Sequence, residues 1–158
     1  MTQLTLRGYL NNPGMKVAII IAEFNEFITN SLLNGALETL KYSGNVAESD
    51  ITVVRVPGAY EIPFVAKQLA QKKQYDAIIT LGAVIRGATP HFDYVCGPMS
   101  SQIMSVSLET NTPISFGVLT TNTIEEAIER CGTKAGNKGI DAANVALQMY
   151  NLAQQISK

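Results

Sequence analysis

One stretch of the chain, "GAVIRGATPHFDYVCG" (residues 82–97), gathers its only histidine, His91, together with Arg86, Thr89 and one of its two cysteines. Histidine has an ordinary pKa of about 6.5, so it takes and gives protons near neutral pH. A reaction that moves protons without a metal could rest on this one residue. The plain alternative is an inert loop histidine. Glu61, in "VPGAYEIP", could contact a polar ligand or simply favour the first turn of the helix that follows it. Phe24 and Phe116, each read at a strand end, could stack on a flat ring or pack in the core. Arg130, Lys134 and Lys138 recur every four residues. They would form a cationic patch suited to phosphate, or a solvated helix end.

The elements that must position these groups are regularly punctuated. "KVAIIIA" (16–22), "ITVVRV" (51–56), "DAIITLGAVI" (76–85) and "PISFGVL" (113–119) are short, β-branched apolar runs, the mark of strands buried on both faces. Between them Ile28, Leu32, Leu33, Ala36, Leu37 and Leu40 fall at helical spacing, with Gly44 as the stop. A second helix runs from about Ile62 to Lys73. A weak third passes through Ile103, Met104 and Val106, leaving His91 in the loop before it. Thr123 and Glu126 make a capping box for a short fourth helix. "GTKAGNKG" (132–139) breaks that helix, and a last one carries Ile140, Ala143, Leu147 and Tyr150 on one stripe. Strand and helix alternate, which predicts a three-layer flavodoxin-like α/β domain: a four-stranded parallel sheet with helices on both faces. "LTLRGY" (4–9) is a candidate additional N-terminal strand, in this sheet or added to a neighbouring subunit. The 158 residues fit one domain.

Parallel sheets bind ligands beyond the carboxyl ends of their strands. Glu61, Thr89, His91 and most loop glycines and prolines fall on that edge. The opposite edge has ordinary connections such as "SGNVAESD" and "KKQYD". Other readings are excluded. No G-x-G-x-x-G follows the first strand, and "GTKAGNKG" lacks P-loop spacing. Only Glu23 supplies acid at the end of the first strand, too little for a receiver domain, and no nucleophile elbow is present. The net charge of −1, without a Lys/Arg block, carries no nucleic-acid footprint. No run is long enough for a membrane span, and the N-terminus lacks a signal-peptide pattern, so a cytoplasmic protein is expected. Cys96 and Cys131 lack C-x-x-C spacing and read as free thiols, and one histidine makes a transition-metal site unexpected.

Five blocks, "FN", "VPGAYEIP", "GAVIRGATPHFDYV", "FGVLTT" and "AIERCGTKAGNKG", resemble in order and spacing those of the lumazine synthase family of riboflavin biosynthesis. The likeness spans nearly all of the chain from Lys16. It implies condensation of 5-amino-6-(D-ribitylamino)uracil with 3,4-dihydroxy-2-butanone 4-phosphate, with loss of phosphate and water and with no cofactor or metal. By resemblance, Phe24 stacks on the pyrimidine. Ala59, Tyr60 and Glu61 bind the uracil and ribityl chain, and Ala83, Val84 and Ile85 lie beside the ring. Ala88 and Thr89 hold the butanone phosphate, and His91 transfers protons. Phe116, Arg130 and Lys138 reach the site from a neighbouring subunit, with Arg130 as the main phosphate ligand. The resemblance also implies homo-pentamers, in some members closed into icosahedral shells, and riboflavin synthase as a partner enzyme. No insertion separates the last two helices, as in shell-forming members. A flavin-binding or shell-forming relative without turnover is the alternative implied by the same likeness.

Overall fold

The computed structural model describes residues 2–158. Strand β1 (Val17–Ala22) is buried along its whole length, and its alternating side chains feed two separate cores. Val17, Ile19 and Ile21 meet helix α1 (Glu26–Tyr42) and helix α5 (Lys138–Ile156) on one face. Ala18, Ile20 and Ala22 meet helix α2 (Ile62–Gln71) and helix α3 (His91–Thr110) on the other. Three layers follow from this one strand. Its neighbours are β2 (Ile51–Val56) and β3 (Ala77–Ile85), with β4 (Ile114–Thr121) beyond β3. The order is β2-β1-β3-β4, all parallel, which makes β2 and β4 the edges.

The strands lie where the apolar runs put them, but three other features depart from the sequence reading. Helix α3 starts at His91, so the histidine occupies a first helical turn and not a loop. The glycines and prolines nearby suggested a flexible stretch, yet Pro90 stands just outside the helix, where its missing N–H costs nothing. Phe116 is the third residue of β4 rather than a strand-end residue, because pairing with β3 continues as far as Thr121. "GTKAGNKG" is not a plain breaker either. Cys131–Thr133 (β5) and Gly136–Asn137 (β6) pair antiparallel, a small hairpin between helix α4 (Ile124–Glu129) and α5.

Residues 4–9 form no strand in the chain's own sheet. The N-terminal segment runs along α5 instead of along either edge strand. Tyr9 N–H donates to Asn151 Oδ1 at 2.9 Å, and the Asn12 amide donates to the Leu147 carbonyl at 3.1 Å. The approach is close at Gly8, where a Cβ would lie 1.9 Å from the Gln148 carbonyl oxygen. No helix among the described residues is long and apolar enough to cross a membrane.

The expected capping box at α4 is complete. Thr123 Oγ1 accepts from Glu126 N–H at 3.1 Å, and Glu126 Oε1 accepts from Thr123 N–H at 3.1 Å and Asn122 N–H at 2.7 Å. Thr123→Ala should cost about 1 kcal/mol of stability, read as a lowered denaturant midpoint at unchanged slope.

Candidate active site

Beyond the carboxyl ends of β1, β2 and β3 opens a cleft of about 830 Å³. Its construction starts where β1 stops. Glu23 N–H donates to the Val56 carbonyl at 2.8 Å and Phe24 N–H to the Pro57 carbonyl at 3.0 Å, extending the β1–β2 pairing past both strand ends. Phe24 is thereby held beside the turn Ala59–Glu61, and the residue is 72% exposed. An aromatic ring left in solvent at a strand end is what a flat ligand needs. Tyr60 is also largely exposed, whereas Ala59 is buried.

Glu61 occupies the cap position of α2, but its side chain makes no capping hydrogen bond. Its carboxylate is therefore not spent on a backbone N–H of the first turn. Its Oε1 lies over Gly58, 3.2 Å from where a Cβ would stand, so the glycine leaves room for the carboxylate at the cleft.

The end of β3 (Ala83, Val84, Ile85) forms the floor, and Thr89, His91, Phe92, Tyr94, Val95 and Pro98 form the α3 side. Of the residues singled out from the sequence, the cleft unites Phe24, Ala59, Tyr60, Glu61, Ala83, Val84, Ile85, Thr89 and His91. Ala88 does not line it. Asn25, Phe92, Tyr94, Val95 and Pro98 line it without having been expected. The helix starting at His91 explains most of these: residues three and four apart share a face, so His91 carries Tyr94, Val95 and Pro98 with it. The sequence signal for them was that register, hidden by the loop reading.

Arg86 is occupied locally. Its Nε donates to Asn122 Oδ1 at 3.0 Å, an Nη lies 3.5 Å from Asp93, and the guanidinium sits 4.3 Å from the Phe92 ring centre. Burial pushes the Cys96 thiol up, with Asp93 adding to the effect and Arg86 opposing it. A thiol so placed stays protonated at neutral pH and is a poor nucleophile. Cys131 is buried, and both cysteines are free thiols.

The cations lie elsewhere. Phe116, Arg130 and Lys138 line a second cavity of about 350 Å³ along edge strand β4, and this cavity shares no residue with the first. The hairpin creates it. Lys138 N–H donates to the Arg130 carbonyl at 2.9 Å, which seats two residues eight apart in sequence side by side. Arg130 Nη1 donates to the Glu126 carbonyl at 2.9 Å and lies 3.8 Å from Glu129, which anchors the guanidinium at the end of α4. Asp141, three residues into α5, faces the same cavity and was not anticipated. Lys134 does not line it, because the every-four spacing presumed a helix where the chain forms a hairpin turn.

A cleft with aromatic walls and a histidine at its side, at the carboxyl edge of a parallel sheet, lies where α/β folds of this kind take small molecules. The chain matches the 6,7-dimethyl-8-ribityllumazine synthase family over residues 14–154, and it belongs to that family. It is an enzyme of the transferase class, in riboflavin biosynthesis.

Proposed function

We propose that the protein condenses 5-amino-6-(D-ribitylamino)uracil with 3,4-dihydroxy-2-butanone 4-phosphate to 6,7-dimethyl-8-ribityllumazine, in sites each shared by two copies of the chain. One observation carries this reading. The cleft that offers the rings and His91 has no Lys or Arg in its lining, while Arg130 and Lys138 line a separate cavity on the open β4 edge. A substrate that is both a carbonyl compound and a phosphate ester needs both sets. Docking the β4 edge of one copy onto the cleft of the next unites them.

In this reading the uracil stacks on Phe24, with Ala59, Tyr60 and Glu61 on the ring and ribityl chain and Ala83 to Ile85 beneath. Its amine attacks the ketone, so the nucleophile comes with the substrate. Loss of water gives a Schiff base. Phosphate then leaves, and ring closure with loss of a second water gives the product. Thr89, with Ala88 beside it, and the neighbour's Arg130 and Lys138 hold the phosphate. The neighbour's Phe116 closes the ring pocket. His91 moves the protons. Holding two substrates together supplies much of the acceleration.

His91→Ala should therefore slow turnover by about a hundredfold, the lower end for loss of an acid–base group, with smaller changes in either KM. Steady-state kinetics with each substrate varied in turn would show this. Incubating the protein with both substrates and following lumazine absorbance tests the reaction itself. Tight riboflavin binding with no product would instead identify a binding or shell-forming relative.

The same head-to-tail docking supports a closed ring of copies, and the family likeness supports a homo-pentamer as that ring. Only the short β5–β6 hairpin separates α4 from α5, with no insertion beyond it, which supports closure of pentamers into an icosahedral shell, inside which a riboflavin synthase could be held. Sedimentation velocity distinguishes shell from free pentamer, and co-purification with riboflavin synthase tests the partner.

A further inference from the structure

Asn25 stands at the start of α1, where an asparagine ordinarily turns its side-chain oxygen onto a free N–H of the first turn. Here no such bond forms, and the backbone is left-handed, with φ 65° and ψ 47°. The backbone carbonyl of Asn25 accepts from the N–H groups of Ile28 and Thr29, both at 3.0 Å. The side-chain amide is thus spare, and it donates to the Ala83 carbonyl at 2.8 Å.

That carbonyl has a reason to need a partner. Ile78 on β3 and Arg86 just past its end send their N–H groups to the carbonyls of Pro113 and Thr121 on the β4 side, so the even residues face β4 and Ala83 faces the β1 side. There the β1–β3 ladder has already closed at Ile21 and Leu81, because β1 turns away after Ala22. Asn25 Nδ2 stands in for the missing strand. Both residues it links line the cleft, and the residue before it is Phe24.

We propose that Asn25 is a positioning residue for the pyrimidine subsite. It fixes the separation between the Phe24 ring and the β3 backbone at Ala83 to Ile85, so that a flat ring fits between them. The residue type is demanded twice over, since the position needs a left-handed backbone and a side-chain donor together, and few residues besides Asn meet both. Glycine would keep the backbone and lose the donor. Aspartate would keep backbone and shape but place a charged acceptor against a carbonyl oxygen.

The proposal rests on the reading that the uracil stacks on Phe24, so the test carries Phe24→Ala beside Asn25→Gly and Asn25→Asp. KM for each substrate, kcat and the fluorescence-monitored affinity for the lumazine product would be measured, with thermal midpoints recorded. Asn25→Gly should raise the uracil KM and weaken product binding by about five- to tenfold, the effect of one lost hydrogen bond. Asn25→Asp should do at least as much. The butanone phosphate KM and saturating kcat should stay within about twofold in both. If either folded Asn25 variant binds uracil and product as the parent does, or loses both substrates equally, while Phe24→Ala weakens uracil binding, the positioning role is overturned. If Phe24→Ala leaves uracil binding unchanged, the stacking reading fails first and takes this proposal with it.

Discussion

Replacing Arg130 by alanine should raise the KM for 3,4-dihydroxy-2-butanone 4-phosphate by about a hundredfold or more, while the uracil KM moves by less than about threefold. A charge-assisted hydrogen bond to a phosphate is worth about 1.5–3 kcal/mol, and a guanidinium can make two in parallel. Arg130 is half-buried and one edge is already held by the Glu126 carbonyl, so its direction is set before the ligand arrives. Pre-orientation of this kind lowers the ordering cost of binding. Arg130→Lys should recover only part of the loss, because lysine keeps the charge without the fork. Unchanged kinetic constants for the phosphate substrate in Arg130→Ala would remove Arg130 from the site.

The largest structural effect is expected at Gly139. Alanine in place of a helical glycine ordinarily stabilises by about 1 kcal/mol. Here the sign should reverse. A Cβ on Gly139 would lie 1.9 Å from the Leu32 carbonyl oxygen, a backbone atom of α1 that cannot step aside. Helices α1 and α5 therefore touch backbone to backbone at this point, and a methyl group would have to force them apart. The Asn137 cap would suffer with them, since its side chain accepts from Gly139 N–H at 2.8 Å and donates to the Ser31 carbonyl at 3.1 Å. Gly139→Ala should lose about 3 kcal/mol, the upper range for overpacking, and its thermal midpoint should fall by several degrees. The cavity on the β4 edge should loosen as well, because Lys138 lines it and precedes Gly139 in the chain. A thermal midpoint equal to or above that of the parent would show that the helices yield freely.

These cases mark how far the residues alone could be read. The strands were legible because a parallel sheet buried on both faces writes itself as continuous apolar runs, and β2 was located residue for residue. The capping box was legible because its chemistry is local. Helix α3 was legible only in its second half. Its first turns carry Gly97 and Pro98, which argue against a helix, and what holds them is contact of Val95, Met99 and Ile103 with the core. The hairpin at residues 131–137 was missed because its two residue pairs have no apolar alternation, and it is secured by bonds across long intervals, such as Asn137 to Ser31.

The site divides along the same line. That Glu61, Thr89 and His91 share an edge follows from the alternation of strand and helix, which makes the strands parallel and is visible in the sequence. That Phe24 and Ala83 are joined by Asn25, and that Arg130 and Lys138 sit in a different cavity from His91, depends on tertiary hydrogen bonds that no local pattern encodes.

The central claim is that each working site takes its cleft from one chain and its cations from another. Mixing two inactive variants tests it most directly. Phe24→Ala/His91→Ala damages only the cleft, and Arg130→Ala/Lys138→Ala damages only the cavity on the β4 edge. Assayed with the phosphate substrate near the parental KM, each alone should retain about a hundredth of parental activity or less. Unfolded together and refolded as mixed oligomers, they should regain about a quarter of parental lumazine formation, because random mixing pairs an intact cleft with an intact neighbour at that frequency. If every site were built within one chain, the mixture would stay as inactive as its components.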